Sequence, residues 1–114
     1  MDIPSHNRVE LVGRVSAAAD SRTLPSGDVV TSFRLVVPRS AVARRRSRQT
    51  VDTFDCNAWT AKLRRSVAKL EAGSIVRVDG TLRRQFSRVA GAPVSRVTVD
   101  LTAISVVTPV ASEA

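Results

Sequence analysis

Trp59, the only tryptophan, ends a run in which Thr53, Asp55, Asn57 and Trp59 alternate with Phe54, Cys56 and Ala58, so it falls on the polar face of a strand. An indole placed there can stack on a flat partner. Arginine can stack as well, and its planar fork also grips phosphate. Of the 18 basic residues, 16 are arginine. Residues 38–50 hold Arg39, Arg44, Arg45, Arg46 and Arg48, residues 83–96 hold Arg83, Arg84, Arg88 and Arg96, and neither segment contains an acid. The other 87 residues carry nine basic residues and all ten acids, a net charge of −1, so the excess of +8 belongs to the two segments. A near-neutral body with two cationic segments points to a polyanionic partner.

Other chemistries lack their groups. The single cysteine, Cys56, cannot form an intramolecular disulfide, and with one histidine, His6, it cannot build a His/Cys metal cage. Cys56 lies on the apolar side of its strand, where a thiol is inert packing. Asp52 and Asp55 are the only close acids on a strand, which leaves a two-carboxylate metal nuclease as the one conceivable enzyme. No nucleophile stands near a base, and the expectation is a non-enzymatic protein with no cofactor and no metal. No apolar run reaches the ~18 residues of a membrane span, and the first residues lack the order of a signal peptide, so a soluble cytoplasmic protein is expected. The chain has 114 residues, 43% of them apolar and only ten of them glycine or proline, which fits one domain with one core.

Strands must position these side chains. Val9, Leu11, Gly13 and Val15 alternate with Arg8, Glu10, Val12 and Arg14, the period of a half-buried strand, and Gly13 marks a bend in it. Residues 17–28 are rich in turn formers, with Pro25-Ser26-Gly27 suited to closing a hairpin. Residues 29–37 set Phe33, Leu35 and Val37 against Ser32, Arg34 and Val36 until Pro38 stops the strand; the first basic segment follows as a loop. A third strand covers 51–59. One helix fits 60–72, with Leu63, Val67 and Leu70 on one face, Thr60 as cap and Gly73 as stop. A fourth strand, 74–82, runs into the second basic segment, expected as a loop turning at Gly91-Ala92-Pro93, and a fifth strand covers 94–107. This order allows a plugged β-barrel or an α+β sandwich. The count favours a mainly all-β chain, the five-stranded Greek-key OB-fold barrel with one α-helix between strands three and four. In that fold nucleic acid crosses strands two and three, and here the basic segments border that surface.

The residues themselves resemble the bacterial single-stranded DNA-binding proteins. The matching runs are Asn7-Arg8-Val9-Glu10-Leu11-Val12-Gly13-Arg14, Pro25-Ser26-Gly27, Ser32-Phe33-Arg34-Leu35, Phe54-Asp55-Cys56-Asn57-Ala58-Trp59, and Gly73-Ser74-Ile75-Val76-Arg77-Val78-Asp79-Gly80-Thr81-Leu82-Arg83. The resemblance implies an OB domain over 7–108, between a flexible arm at 1–6 and a short tail at 109–114. It implies a homotetramer, with a dimer as the alternative, that binds single-stranded DNA with little sequence preference in replication, recombination and repair, in the cytoplasm and on the nucleoid. Trp59 and Phe86 match the family's stacking positions, while Phe33 and Phe54 are assigned to the core. With the arginines added, the expected DNA-binding set is Trp59, Phe86, Arg34, Arg39, Arg44, Arg45, Arg46, Arg48, Arg83, Arg84, Arg88 and Arg96.

Two departures from the family pattern carry expectations of their own. Thr53 stands where another aromatic is common, and residues 38–50 contain none, so arginine contacts to phosphate are expected to supply affinity that stacking does not. Each phosphate neutralised on a single strand contributes about −0.7 to the salt slope, which makes strong salt sensitivity the expected signature. The chain ends at Pro109-Val110-Ala111-Ser112-Glu113-Ala114 without the family's acidic tip, so recruitment of partner proteins through such a tip is not expected. The alternatives are a primosomal replication protein of the same fold, or an RNA-binding OB-fold protein, since a basic surface does not separate DNA from RNA by charge.

Overall fold

The structure, a computed structural model, describes residues 2–109. Of the expected tail, only Pro109 falls among the described residues. The elements are β1 (Val9–Val15), β2 (Asp20–Thr23), β3 (Val29–Pro38), α1 (Ala41–Arg44), β4 (Val51–Ala58), α2 (Ala61–Ala68), β5 (Ile75–Val89) and β6 (Ala92–Thr108). The strands lie in the order β1-β5-β6-β4-β3-β2, and β1 also pairs with β3, so five of them run in a closed ring, as an OB fold requires. Every pairing is antiparallel except β4 with β6.

The inward faces are those the alternation marks. Val15, Phe33, Leu35, Cys56, Ala58, Val76, Val78, Val99 and Leu101 form one buried cluster, joined by Val67 and Leu70 from α2 and its C-terminal turn; Phe54 is half-buried against it. Thr60 caps α2 as expected, its hydroxyl accepting from the Leu63 N–H at 3.2 Å. The helix ends at Ala68 rather than near 72. The Lys69 and Leu70 N–H groups turn back to the Ser66 and Val67 carbonyls, and the Gly73 N–H donates to Val15, so β1 takes the backbone that would have extended the helix.

Three segments depart from the sequence reading. A sixth strand, β2, pairs with β3 from Asp20↔Ser32 to Thr23↔Val29, across the expected hairpin turn at Gly27. All four of its residues, Asp-Ser-Arg-Thr, are exposed, so it carries no apolar period and is held by its ladder alone. Within the first basic segment, Ser40 caps the single turn α1 by accepting from the Ala43 N–H. The second basic segment is not a loop: β5 and β6 continue as a ribbon to a two-residue turn at Ala90 and Gly91, both at positive φ. Its polar and basic side chains concealed the alternation.

Burial, with Asp55 beside it in the chain, pushes the Cys56 thiol up to about 12. The thiol therefore stays protonated throughout the neutral range. Native protein is expected to resist iodoacetamide at about pH 8, where a free cysteine reacts, and to be labelled fully once unfolded in urea; mass spectrometry reads both states.

Candidate nucleic-acid interface

The outer face of β3, β4 and the start of β6 carries a groove of about 440 Å³. Its floor follows from register. Ser32 lies opposite Asn57, Arg34 opposite Asp55, and Asp55 opposite Thr98, so side chains from all three strands point the same way. Trp59, one residue past the end of β4, stands at one side of the groove, and Gln85 and Arg96, opposite each other on the ribbon, stand at another. Ser16, Ala17 and Ala18, between β1 and β2, complete the wall with Arg22.

Trp59 is half-buried, and its position is fixed from two directions. Its indole Nε1 donates to Asp100 Oδ1 at 3.1 Å. Its carbonyl accepts from the Arg64 guanidinium, which also donates to the Val29 carbonyl at 3.3 Å and so ties the β4–α2 junction to β3. Ser32 donates its hydroxyl to Asn57 Oδ1 at 2.8 Å, keeping that amide oriented at the base of the groove. A ring held in this way meets a stacking partner without first losing rotational freedom.

The structure distributes the expected arginines unevenly. Arg34 and Arg96 reach into the groove and share one carboxylate, Arg34 Nε at 3.5 Å from Asp55 Oδ1 and Arg96 at 3.5 Å from Asp55 Oδ2. Arg83 lies 3.4 Å from Asp100 Oδ2, on the carboxylate that also holds Trp59. Arg39 is engaged by Asp52 through two bonds of 3.0 and 2.8 Å, and its guanidinium holds the Asp52 carboxyl below the usual carboxylate range. Asp52 is therefore an ion-pair partner, and no group of three or more His, Cys, Asp or Glu side chains suited to a metal occurs among the described residues. Arg84 donates to the Ser95 hydroxyl and Arg88 to the Gly91 carbonyl, both along the ribbon. Arg44, Arg45, Arg46 and Arg48 are exposed around α1, line no part of the groove, and make no ion pair among the described residues.

Phe86 takes a different place from the one its spacing suggested. It is 77% exposed and sits inside β5 rather than in a loop. Phe86 pairs with Ser95, while the next pair, Gln85 with Arg96, faces the groove, so successive residues put Phe86 on the other face of the ribbon. Half-exposed Leu82 and Val97 share that face with it. Asp55, Asn57 and Trp59 were recognisable as one face from alternation in β4. Gln85, by contrast, comes to the groove, and Asp100 to the Trp59 indole, only through the pairing of β6 with β4 and β5, which no local pattern announces.

The sequence profile of the Single-strand binding protein family matches residues 6–107. A Single-stranded DNA-binding protein of Bacillus cereus is 36% identical over 77 residues, which cover 68% of this chain and 45% of that protein. Single-stranded DNA-binding protein A of Bacillus subtilis is 34% identical over 77 residues, 44% of its length. The chain thus spans less than half the length of these curated relatives. Among solved structures, the Plasmodium falciparum SSB in complex with ssDNA superposes with a TM-score of 0.76 at 22% identity, covering 95% of this chain and 98% of that one. The small single-stranded DNA-binding protein of Streptomyces coelicolor gives 0.64, also at 22% identity, covering 87% and 92%. These likenesses establish the fold, and with a profile match over nearly the whole length, the chain belongs to the single-strand binding protein family.

Proposed function

We propose that this protein binds single-stranded DNA with little sequence preference and protects it during replication, recombination and repair, on the nucleoid in the cytoplasm. The observation that carries the reading is the groove itself: a fixed indole and two arginines from the strands on either side of β4 open onto one outer face. Stacking on a ring is indifferent to base identity, since every base has a π-face, and contributes about 1–3 kcal/mol per base. Arginine contacts to phosphate are equally indifferent to sequence.

The strand enters over Trp59 between Arg34 and Arg96. Phe86, on the opposite face of the ribbon, stacks a more distant nucleotide, so a strand that uses both rings turns around the ribbon edge. Arg44, Arg45, Arg46 and Arg48 take phosphates outside the groove, as do Arg84 and Arg88 on the ribbon. Arg39, held bidentately by Asp52, contributes less than its neighbours. The protein acts as a homo-oligomer, a tetramer first and a dimer otherwise; exposed apolar side chains away from the groove, such as Val12 at 48%, support that reading. The OB domain occupies residues 7–108, and Asn7 begins it by clamping the Leu82 backbone, donating to its carbonyl at 2.7 Å and accepting from its N–H at 2.9 Å.

The test is a titration of labelled oligo(dT) with the full chain, competed by oligo(dA), oligo(U) of equal length and duplex DNA, with native mass measurement of the complex. Tight binding to both DNA homopolymers, with RNA and duplex much weaker, is expected. A preference for oligo(U) would replace this reading with the RNA-binding one.

A further inference from the structure

Two of the three groove arginines are already occupied. Asp55, on the central strand of the groove floor, bridges Arg34 from β3 and Arg96 from β6, one carboxylate oxygen to each guanidinium at 3.5 Å. Both arginine side chains remain mostly exposed, at 62% and 63%, whereas Asp55 is 25% exposed. A phosphate presents the same features to two arginines: a negative charge with oxygens diverging toward both. Ion pairs of this length and exposure are individually weak, so little is lost in trading one acceptor for another. Asp55 is also the only acid that contacts Arg34 or Arg96 among the described ion pairs.

We propose that Asp55 is a resident stand-in for a DNA phosphate, which holds Arg34 and Arg96 in their bound arrangement and is exchanged for a phosphate when a single strand enters. This rests on the single-stranded DNA reading above. Two consequences separate it from a merely structural ion pair. The Arg34–Asp55–Arg96 group presents a net charge of one to the strand rather than two, so the groove neutralises fewer phosphates than its arginines suggest. The displaced carboxylate then lies near the bound backbone and repels it, which limits affinity and hastens release.

The experiment compares wild type with Asp55→Asn, an isosteric change that keeps one side-chain oxygen and removes the charge, by anisotropy of fluorescein-labelled oligo(dT) between about 50 and 300 mM salt. Asp55→Asn should bind roughly 3- to 10-fold tighter near 0.1 M salt, with a salt slope steeper by about 0.7, one further phosphate. Asp55→Ser should do the same, and serves if the first variant folds poorly. Arg34→Gln should weaken Asp55→Asn more than it weakens wild type, because only in wild type does the lost phosphate contact also spare a broken ion pair. Equal effects of Arg34→Gln in the two backgrounds, or an Asp55→Asn protein that binds no tighter with an unchanged slope, would overturn the proposal while leaving the DNA reading intact. Wild type that binds no oligo(dT) would overturn both.

Discussion

Gly80→Ala is expected to lower stability by about 3 kcal/mol or more, a large share of what a domain of this size commands. The cause is steric and local. β6 crosses β5 so closely at this point that an added methyl would drive into the Asp100 carbonyl oxygen and press on Val99 Cγ1 at 3.0 Å. The obstacle is backbone, so no rotamer change relieves it. The register of β5 on β6 shifts between Asp79 and Gly80, so the missing side chain coincides with the irregularity that lets the long strand bend into the ring. Gly27→Ala is the informative contrast. Nothing lies within 4 Å of a methyl there, but φ is +91°, and the cost should be only the ~1 kcal/mol of placing an L side chain in that region. Urea midpoints of both variants against wild type measure the difference, and equal shifts would sink the steric argument.

Trp59→Ala is expected to weaken oligo(dT) binding by about 1–3 kcal/mol, roughly 5- to 150-fold, for the loss of one stacked base. The salt slope should not change, because the ring neutralises no phosphate. That pairing of a large affinity loss with an unaltered slope distinguishes a stacking ring from one that only props the fold. Trp59→Phe should recover much of the affinity without the Asp100 hydrogen bond, since a smaller ring still offers a π-face. Labelled oligonucleotide is needed as reporter because the protein's only tryptophan is the residue removed. A slope that flattens along with the affinity would mean that the arginines lost their arrangement too.

The sequence was most readable where one face of a strand is buried. Phe33 and Leu35 on β3, and Cys56 and Ala58 on β4, announce an inside, and Asp55, Asn57 and Trp59 are then outside together. It was least readable where both faces meet water. Asp20 to Thr23 and the ribbon from Arg83 to Arg96 have no apolar period to betray them, and their strand character comes from a partner ladder. Phe86 shows the cost of that blindness: its position in the chain suggested the groove, yet a single step of register from Gln85 turns it to the other face. Counting charge located the arginines but could not show that Arg34, Arg83 and Arg96 already meet acids, because Asp55 and Asp100 reach them only across strands. Among the described residues, Arg44, Arg45, Arg46 and Arg48 around α1 make no ion pair, and neither do Arg84 and Arg88 on the ribbon.

The ring is not closed evenly. Fifteen residue pairs join β5 to β6 and eight join β3 to β4, but three pairs join β4 to β6 and two join β1 to β3. The molecule is thus two hairpin-built halves, β1-β5-β6 and β2-β3-β4, fastened by two short clasps. The Ser16 N–H, which crosses the β1–β3 clasp to the Arg34 carbonyl at 3.1 Å, should exchange with deuterium sooner than the amides of Val78 and Leu101 in the longer β5 ladders. Because both halves contribute to the groove, Arg34 from one and Arg96 from the other, a strand lying across it would span the β4–β6 clasp and slow its opening, so that occupancy of the outer face becomes legible as protection within the wall beneath it.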